Sequence, residues 1–190
     1  DGPPGPSHFR SRHQMRSKRT PKALPHVDSA GRARMVDVSD KPASVRRAVA
    51  ESFVRLSRKT LGLIARGETA KGDALETARL AGIQAAKRTS ELIPLCHPLL
   101  LTHVEVRAEL QSGGVRFESA VACAGPTGVE MEALTAAAAA ALTLYDMIKA
   151  AERAATIERI RLLEKSGGRS GRYRRHQAGI RSRNKDTASR

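Results

Sequence analysis

The chain has 190 residues, of which 40% are hydrophobic and 3% aromatic, and its formal net charge is +15. That length fits one domain with tails, and the hydrophobic share suffices for a core built from Ala, Leu, Val and Ile. The most apolar window, residues 92–101, is too short and too interrupted by proline to be a membrane helix, which needs about 20 apolar residues.

Basic tails flank the predicted domain. Residues 1–24 have a net charge of +5 and residues 166–190 one of +7, which leaves +3 on the rest of the chain. Segments rich in Arg, Ser, Gly and Pro and poor in apolar residues are typical of disorder. We therefore predict disordered tails over 1–24 and 169–190 and a folded domain over 25–168. Phosphates attract such tails, but they lack regularly interleaved aromatic residues, so a specific nucleic-acid partner is not expected.

A strand and two helices are predicted first. Residues 35–39 alternate apolar and polar side chains, as a strand does. From Ser44 to Arg66 apolar residues recur at helical spacing, so a helix is expected there. A second helix is expected from Ala74 to about Lys87 or Arg88, after the tripeptide Lys-Gly-Asp.

The second half of the chain predicts a loop, a hairpin, a long helix and a last strand. Residues 92–100 form an irregular loop, and the runs 104–110 and 115–121 alternate strictly around a Gly-Gly turn, as paired strands do. Residues 128–149 predict a helix, because alanine-rich segments of this length become helical readily. Residues 157–163 predict the last strand.

The predicted order is β, α, α, β, β, α, β. Without one extra helix this is βαββαβ, the ferredoxin-like unit, which is an α+β fold. Its antiparallel sheet is covered by helices on one face. The other face then needs cover, and a partner subunit is the simplest candidate.

Charged residues flank the alanine-rich helix. Glu130 and Glu132 precede the alanines, and Asp146 and Lys149 follow them, three apart and therefore on one face. An Asp beside a Lys can both take and give protons. The alternative is a surface ion pair on a helix whose acidic start suits its dipole. In a binding site, Glu130 and Glu132 would accept hydrogen bonds from a guanine-like edge.

Two loops carry further candidates. Lys71 precedes a helix start, whose amides favour anions, although a solvated Lys beside a helix cap explains it equally well. His97 could bind a heterocycle or shift a proton near neutral pH, whereas a lone His is more often structural. Cys96 and Cys123 form neither a zinc pattern nor a disulfide framework, so no metal is expected and a reducing cytoplasm is favoured.

Taken together, five segments identify a family. They are, in order, MVDVSDKP, KGDAL, AGIQAAKRTSELIPLCHPLLLTHVEV, GPTGVEMEALTAAAAAALTLYDMIKA and RLLEKSGGRSG. This set closely resembles the cyclic pyranopterin monophosphate synthases, the MoaC proteins of molybdenum cofactor (molybdopterin) biosynthesis. The resemblance runs from about residue 26 to residue 171.

The resemblance implies a phosphorus–oxygen lyase. Such an enzyme converts 3′,8-cyclo-7,8-dihydroguanosine triphosphate into cyclic pyranopterin monophosphate and releases diphosphate. The resemblance further implies that no cofactor or metal is required. It also implies a homohexamer, a trimer of dimers, whose active sites lie at subunit interfaces, and a cytoplasmic location is the default expectation for the chain.

The resemblance also implies roles for residues. Asp146 is the active-site carboxylate and Lys149 its acid–base partner, with Lys149 donating a proton and Asp146 accepting one. Lys71 and Lys165 would contact substrate phosphates or transfer protons. Six other positions would bind the substrate: Leu95, Cys96 and His97 beside the pterin or ribose, and Glu130, Met131 and Glu132 around the base.

Two other functions are compatible with parts of the sequence. A ferredoxin-like module with basic arms that binds RNA or another partner would account for the tails. It would not account for the acidic and basic residues that flank the long helix, and an RNA-binding sheet uses exposed aromatic residues. A different hydrolase of a GTP-derived nucleotide would instead release diphosphate from plain GTP.

Overall fold

The computed structural model describes residues 2, 27, 28 and 30–176 of the chain, which divides into two units, Asp1–Arg34 and Met35–Arg190. In the first unit, the Asp28 carboxylate accepts hydrogen bonds at 2.9 Å from the backbone amides of Ala30 and Arg32. The tail predicted over 1–24 lies outside the described residues except for Gly2, and so do residues 177–190 of the second tail.

The described part of the second unit is an antiparallel sheet with helices. Its elements are, in chain order, β1 (Ser44–Arg55), α1 (Arg58–Ala65), α2 (Ala74–Ala86), α3 (Thr89–Leu92), β2 (Leu101–Gln111), β3 (Gly114–Gly125), α4 (Glu130–Ile148), β4 (Thr156–Ser166) and β5 (Tyr173–Arg174). The sheet order is β2-β3-β1-β4-β5. Strands β1 to β4 thus have the ferredoxin-like arrangement, and the predicted α+β architecture is confirmed.

The predictions for residues 35–66 are wrong in detail. Residues 35–39 form no strand, and Ser44–Arg55 is a central strand instead of the start of a helix. The helix begins only at Arg58, after Ser57, whose hydroxyl accepts a hydrogen bond from the backbone amide of Thr60. Strand β1 lies between β3 and β4 and is buried on both faces from residue 50 to residue 54, so its apolar residues do not simply alternate.

The later elements agree with their predictions. Helices α2 and α4, the hairpin β2–β3 and strand β4 coincide with the predicted segments, and each of these strands is longer than predicted. The sequence analysis did not predict the short helix α3, which leads into the irregular loop. Within the predicted second tail, Tyr173 and Arg174 form β5 and pair with Lys165 and Glu164. The domain boundaries at residues 24 and 168 remain predictions.

Helix α4 is fixed closely on the sheet. Five of its seven alanines are buried in the core, and the side chains of Ser52 and Ser119 donate hydrogen bonds of 2.7 Å to the carbonyl oxygens of Ala137 and Ala133. Helix α2 packs equally closely, since a Cβ added at Gly82 would lie 2.8 Å from the carbonyl oxygen of Ala136. The two ends of α4 therefore have defined positions relative to the sheet.

By length and apolar composition alone, α4 could also cross a bilayer. Its 19 residues have a mean hydropathy of 1.3, and half of the helix is buried inside the fold. A core helix of a globular domain has the same properties. The packing of α4 on β1 and β3 assigns it to that class.

The sheet face opposite the helices carries a charged network. Glu51 of β1 is 4% exposed and accepts hydrogen bonds from Arg116, Arg159 and Arg161. Burial alone would raise the pKa of Glu51, but the hydrogen bonds from Arg116 and Arg159 lower it. A carboxylate this buried is stable only because these cations surround it.

Candidate active site

The predicted site residues lie at the two ends of α4. At 1.5 Å per residue, about 24 Å of helix axis separates Glu130 from Asp146. We call Lys71, Asp146 and Lys149 the C-terminal cluster. The N-terminal cluster comprises the other predicted positions, which are linked by the approach of Lys165 to Glu130, by the electrostatic effect of Glu132 on Cys96, or by adjacency in the chain: Leu95, Cys96, His97, Glu130, Met131, Glu132 and Lys165. Within one chain the two clusters do not meet.

In the C-terminal cluster, Asp146 lies between two lysines. Lys149 Nζ is 2.8 Å from Asp146 Oδ1, and Lys71 Nζ is 2.5 Å from Oδ2. The hydrogen bonds from Lys149 and then from Lys71 lower the pKa of Asp146 to about 2. In turn, Asp146 raises the pKa of Lys149. All three side chains are about half exposed, so this carboxylate with two cations can receive an anion from solvent.

A tight loop brings Lys71 to Asp146. The loop begins and ends with Gly67 and Gly72, whose φ angles of 70° and 90° are rarely adopted by other residues. The Asp73 carboxylate then accepts hydrogen bonds from the first amides of α2. Asp73 therefore starts the helix, while Lys71 is free to point at the end of α4.

In the N-terminal cluster, Glu132 is a buried carboxyl group. It is 3% exposed, and its Oε2 has no hydrogen-bond partner among the described residues. Burial, assisted by the nearby Glu130, raises the pKa of Glu132. Burial and the charge of Glu132 also raise the pKa of the Cys96 and Cys123 thiols. This end of α4 thus favours the neutral, protonated forms of its carboxyl and thiol groups, whereas the C-terminal cluster favours charged groups.

Replacing Glu132 with Gln is expected to stabilise the protein at neutral pH. A carboxyl group whose pKa is raised by folding makes the wild type most stable below the unfolded pKa, near 4.5, and less stable as pH rises through the folded pKa. Gln does not ionise, so the variant does not lose stability in this way as the pH rises. The check is the Tm of both proteins from about pH 4 to about pH 8. The advantage of Glu132→Gln must grow with pH, and an advantage that is constant with pH would contradict the prediction.

Lys165 connects β4 to the start of α4. Its Nζ lies 3.8 Å from the Glu130 carboxylate and contacts the hydroxyl of Ser170, and its side chain is 14% exposed. The lysine is therefore held at the edge of the N-terminal cluster.

Arg46 is a residue that the sequence analysis missed. Its Nε and Nη2 donate hydrogen bonds to the carbonyl oxygens of Gly125 and Pro126, at 3.3 and 3.2 Å. A Cβ added at Gly168 would collide with its guanidinium. Arg46 thus joins the loop before Glu130 to the turn after Lys165. The glycines of both segments indicate a close approach, but nothing in the sequence indicates the partner.

The loop between α3 and β2 supplies the remaining predicted residues. Cys96 and His97 are half-buried and Leu95 is 37% exposed. His97 lines a cleft of about 480 Å³ together with Pro126 and residues from the segment 35–41. Across the described part of the chain, no three His, Cys, Asp or Glu side chains converge in a way that would hold a metal ion.

Known proteins match the chain over the segment that carries both clusters. The MoaC family profile matches residues 35–168. A cyclic pyranopterin monophosphate synthase of Methylobacterium sp. (strain 4-46) is 60% identical over 153 residues, which cover 80% of this chain and 96% of that protein. Lys71, Asp146, Lys149 and Lys165 all fall within the matched residues. The chain therefore belongs to the MoaC family.

Proposed function

We propose that this chain is a cyclic pyranopterin monophosphate synthase, a lyase of molybdenum cofactor biosynthesis. Its substrate is 3′,8-cyclo-7,8-dihydroguanosine triphosphate, and its products are cyclic pyranopterin monophosphate and diphosphate. Family membership and the 60% identity with a protein of that name support this function. The single structural observation that carries it is the carboxylate of Asp146 held between Lys71 and Lys149.

The C-terminal cluster can bind phosphate and transfer protons. Asp146 is ionised at neutral pH and raises the pKa of Lys149, so the protonated ammonium group of Lys149 serves as the proton donor. A substrate phosphate can replace Asp146 as the acceptor of the hydrogen bond from the Lys71 ammonium group. Asp146 then loses one of the two hydrogen bonds that lower its pKa and becomes a stronger base. Substrate binding would thus activate the proton acceptor.

The N-terminal cluster can recognise the base. The unpartnered oxygen of Glu132 and the neighbouring Glu130 can accept hydrogen bonds from the N–H groups of a guanine-like edge. Met131, between these two glutamates in the chain, also contacts the base, and Lys165 binds phosphate. Leu95, Cys96 and His97 contact the pterin or ribose. Arg46 is a positioning residue for the two glycine-containing segments around Glu130 and Lys165.

The complete site forms between two copies of the chain in a homohexamer, a trimer of dimers. About 24 Å along α4 is too far for one nucleotide-sized substrate to contact both clusters of the same chain. A dimer with two-fold symmetry can bring the C-terminal cluster of one copy to the N-terminal cluster of the other, and it does so twice. The free thiols of Cys96 and Cys123 support a reducing, cytoplasmic location.

The test is to mix the purified chain with freshly made 3′,8-cyclo-7,8-dihydroguanosine triphosphate. We expect an oxidised pterin, detected by fluorescence, together with diphosphate release. Plain GTP, assayed in parallel, should yield neither product. Diphosphate from GTP without pterin would indicate the alternative nucleotide hydrolase, and a folded protein that converts neither nucleotide would refute the proposal.

A further inference from the structure

The segment 35–41 lies beside the N-terminal cluster and has no role in the site described above. It has no regular secondary structure, yet its shape is defined by local hydrogen bonds. Asp37 Oδ1 accepts hydrogen bonds from the backbone amide and the hydroxyl of Ser39, at 2.9 and 2.7 Å. The amide of Lys41 donates to the carbonyl oxygen of Val38 at 3.0 Å. The segment is therefore a folded turn at a fixed place along the cleft.

The cleft that this segment forms with His97 is lined by residues of two chemical kinds. Four of them are apolar: Met35, Val36, Val38 and Pro126. The other four are polar, namely Asp37, Ser39, Lys41 and His97, and one oxygen of the Asp37 carboxylate accepts both hydrogen bonds from Ser39. A volume of about 480 Å³ is within the range of small-ligand sites, which combine apolar walls with a few placed polar groups. This combination suits a flat heterocycle that is linked to an anion.

Lys41 differs from the lysines of the two clusters. Lys71 and Lys149 are paired with Asp146, and Lys165 lies near Glu130. The Lys41 side chain is exposed at the cleft and makes no hydrogen bond or ion pair within the described residues. It can therefore bind an anion without first giving up a protein partner. A Lys ammonium binds phosphate as a compact point charge.

We infer that residues 35–41 form a wall of the substrate site and that Lys41 binds a phosphate oxygen of the nucleotide. The inference rests on the proposed function, because that function places a nucleotide beside His97. It extends the site beyond the two clusters, to a segment whose alternating apolar residues predict a strand. In the fold those residues instead line the cleft.

The test compares the wild-type chain with Lys41→Met and Lys41→Arg. Binding of GTP and of inorganic diphosphate is measured by calorimetry, which needs no turnover. We expect Lys41→Met to weaken binding about tenfold to a hundredfold, as the loss of a charge-assisted hydrogen bond predicts. Lys41→Arg should keep most of the affinity. In the turnover assay, Lys41→Met should raise KM more than it lowers kcat.

Lys59→Met is the matched control. It removes the same charge from an exposed position on α1, outside both clusters and the cleft, and should leave binding unchanged. Three results would overturn the inference: wild-type affinity in Lys41→Met, equal losses in Lys59→Met, or a wild type that binds neither probe. Failure of the proposed function would differ, because nucleotide binding would still depend on Lys41 while no pterin formed.

Discussion

Replacing Asp146 with Asn should lower kcat by about a thousandfold and leave the fold intact, as expected when a positioned acid–base group is lost. Asn cannot accept a proton, and it lacks the negative charge that pairs with the ammonium group of Lys149. The side chain of Asp146 is half exposed and contacts the core little, so the fold does not depend on it. The measurement is the rate of pterin formation, together with the Tm by circular dichroism.

A second carboxylate serves as the control for Asp146→Asn. Glu76 on α2 is also partly exposed and accepts two hydrogen bonds from Arg79, but it belongs to neither cluster. Glu76→Gln should keep wild-type kcat, because exposed ion pairs of this kind contribute little. If Asp146→Asn turned over at a rate near that of Glu76→Gln, Asp146 would not be the catalytic carboxylate.

Mixing two inactive variants should restore about a quarter of the wild-type activity, since the site is proposed to draw one cluster from each copy. Asp146→Asn damages the C-terminal cluster, and Lys165→Met damages the N-terminal cluster. With random pairing, half of the dimers contain one chain of each kind. Each mixed dimer has one site with both substitutions and one with neither. The measurement is pterin formation after the two chains are unfolded together and refolded.

The matched control for this experiment mixes Asp146→Asn with Lys149→Met. Both substitutions lie in the C-terminal cluster, so every site in a mixed dimer receives one of them. No recovery is expected. If mixed hexamers of the first pair also stayed inactive, the two clusters would have to act within one chain, which would contradict the proposed interface site.

The elements that the sequence predicts well are those governed by local rules. Alanine content predicts α4, and strict alternation predicts the hairpin β2–β3. Strand β1 is missed because two of its polar residues, Glu51 and Ser52, are buried by distant partners. Glu51 binds Arg116, which is 65 positions away, and Ser52 binds the carbonyl oxygen of Ala137, which is 85 positions away. Periodicity within a short window contains no information about such contacts.

The same distinction applies to the candidate site. The pairing of Asp146 with Lys149 follows from their spacing on one helix. The arrival of Lys71, 75 positions earlier in the chain, follows only from the packing of α2 against α4. Family motifs indicate which residues belong to the proposed site, yet they do not indicate that the folded chain separates the two clusters by the length of α4.

Helix α4 constrains which mutations the chain can accumulate. The alanines between the two clusters can be exchanged for other small residues, because their task is close packing. Loss of a single codon in that run would turn everything beyond it by about 100° and shift it by about 1.5 Å. The serine hydrogen bonds at Ala133 and Ala137 would hold the first half of the helix in place. The contact between Asp146 and Lys71 would then be lost. The alanine run therefore tolerates substitution but not a change in length.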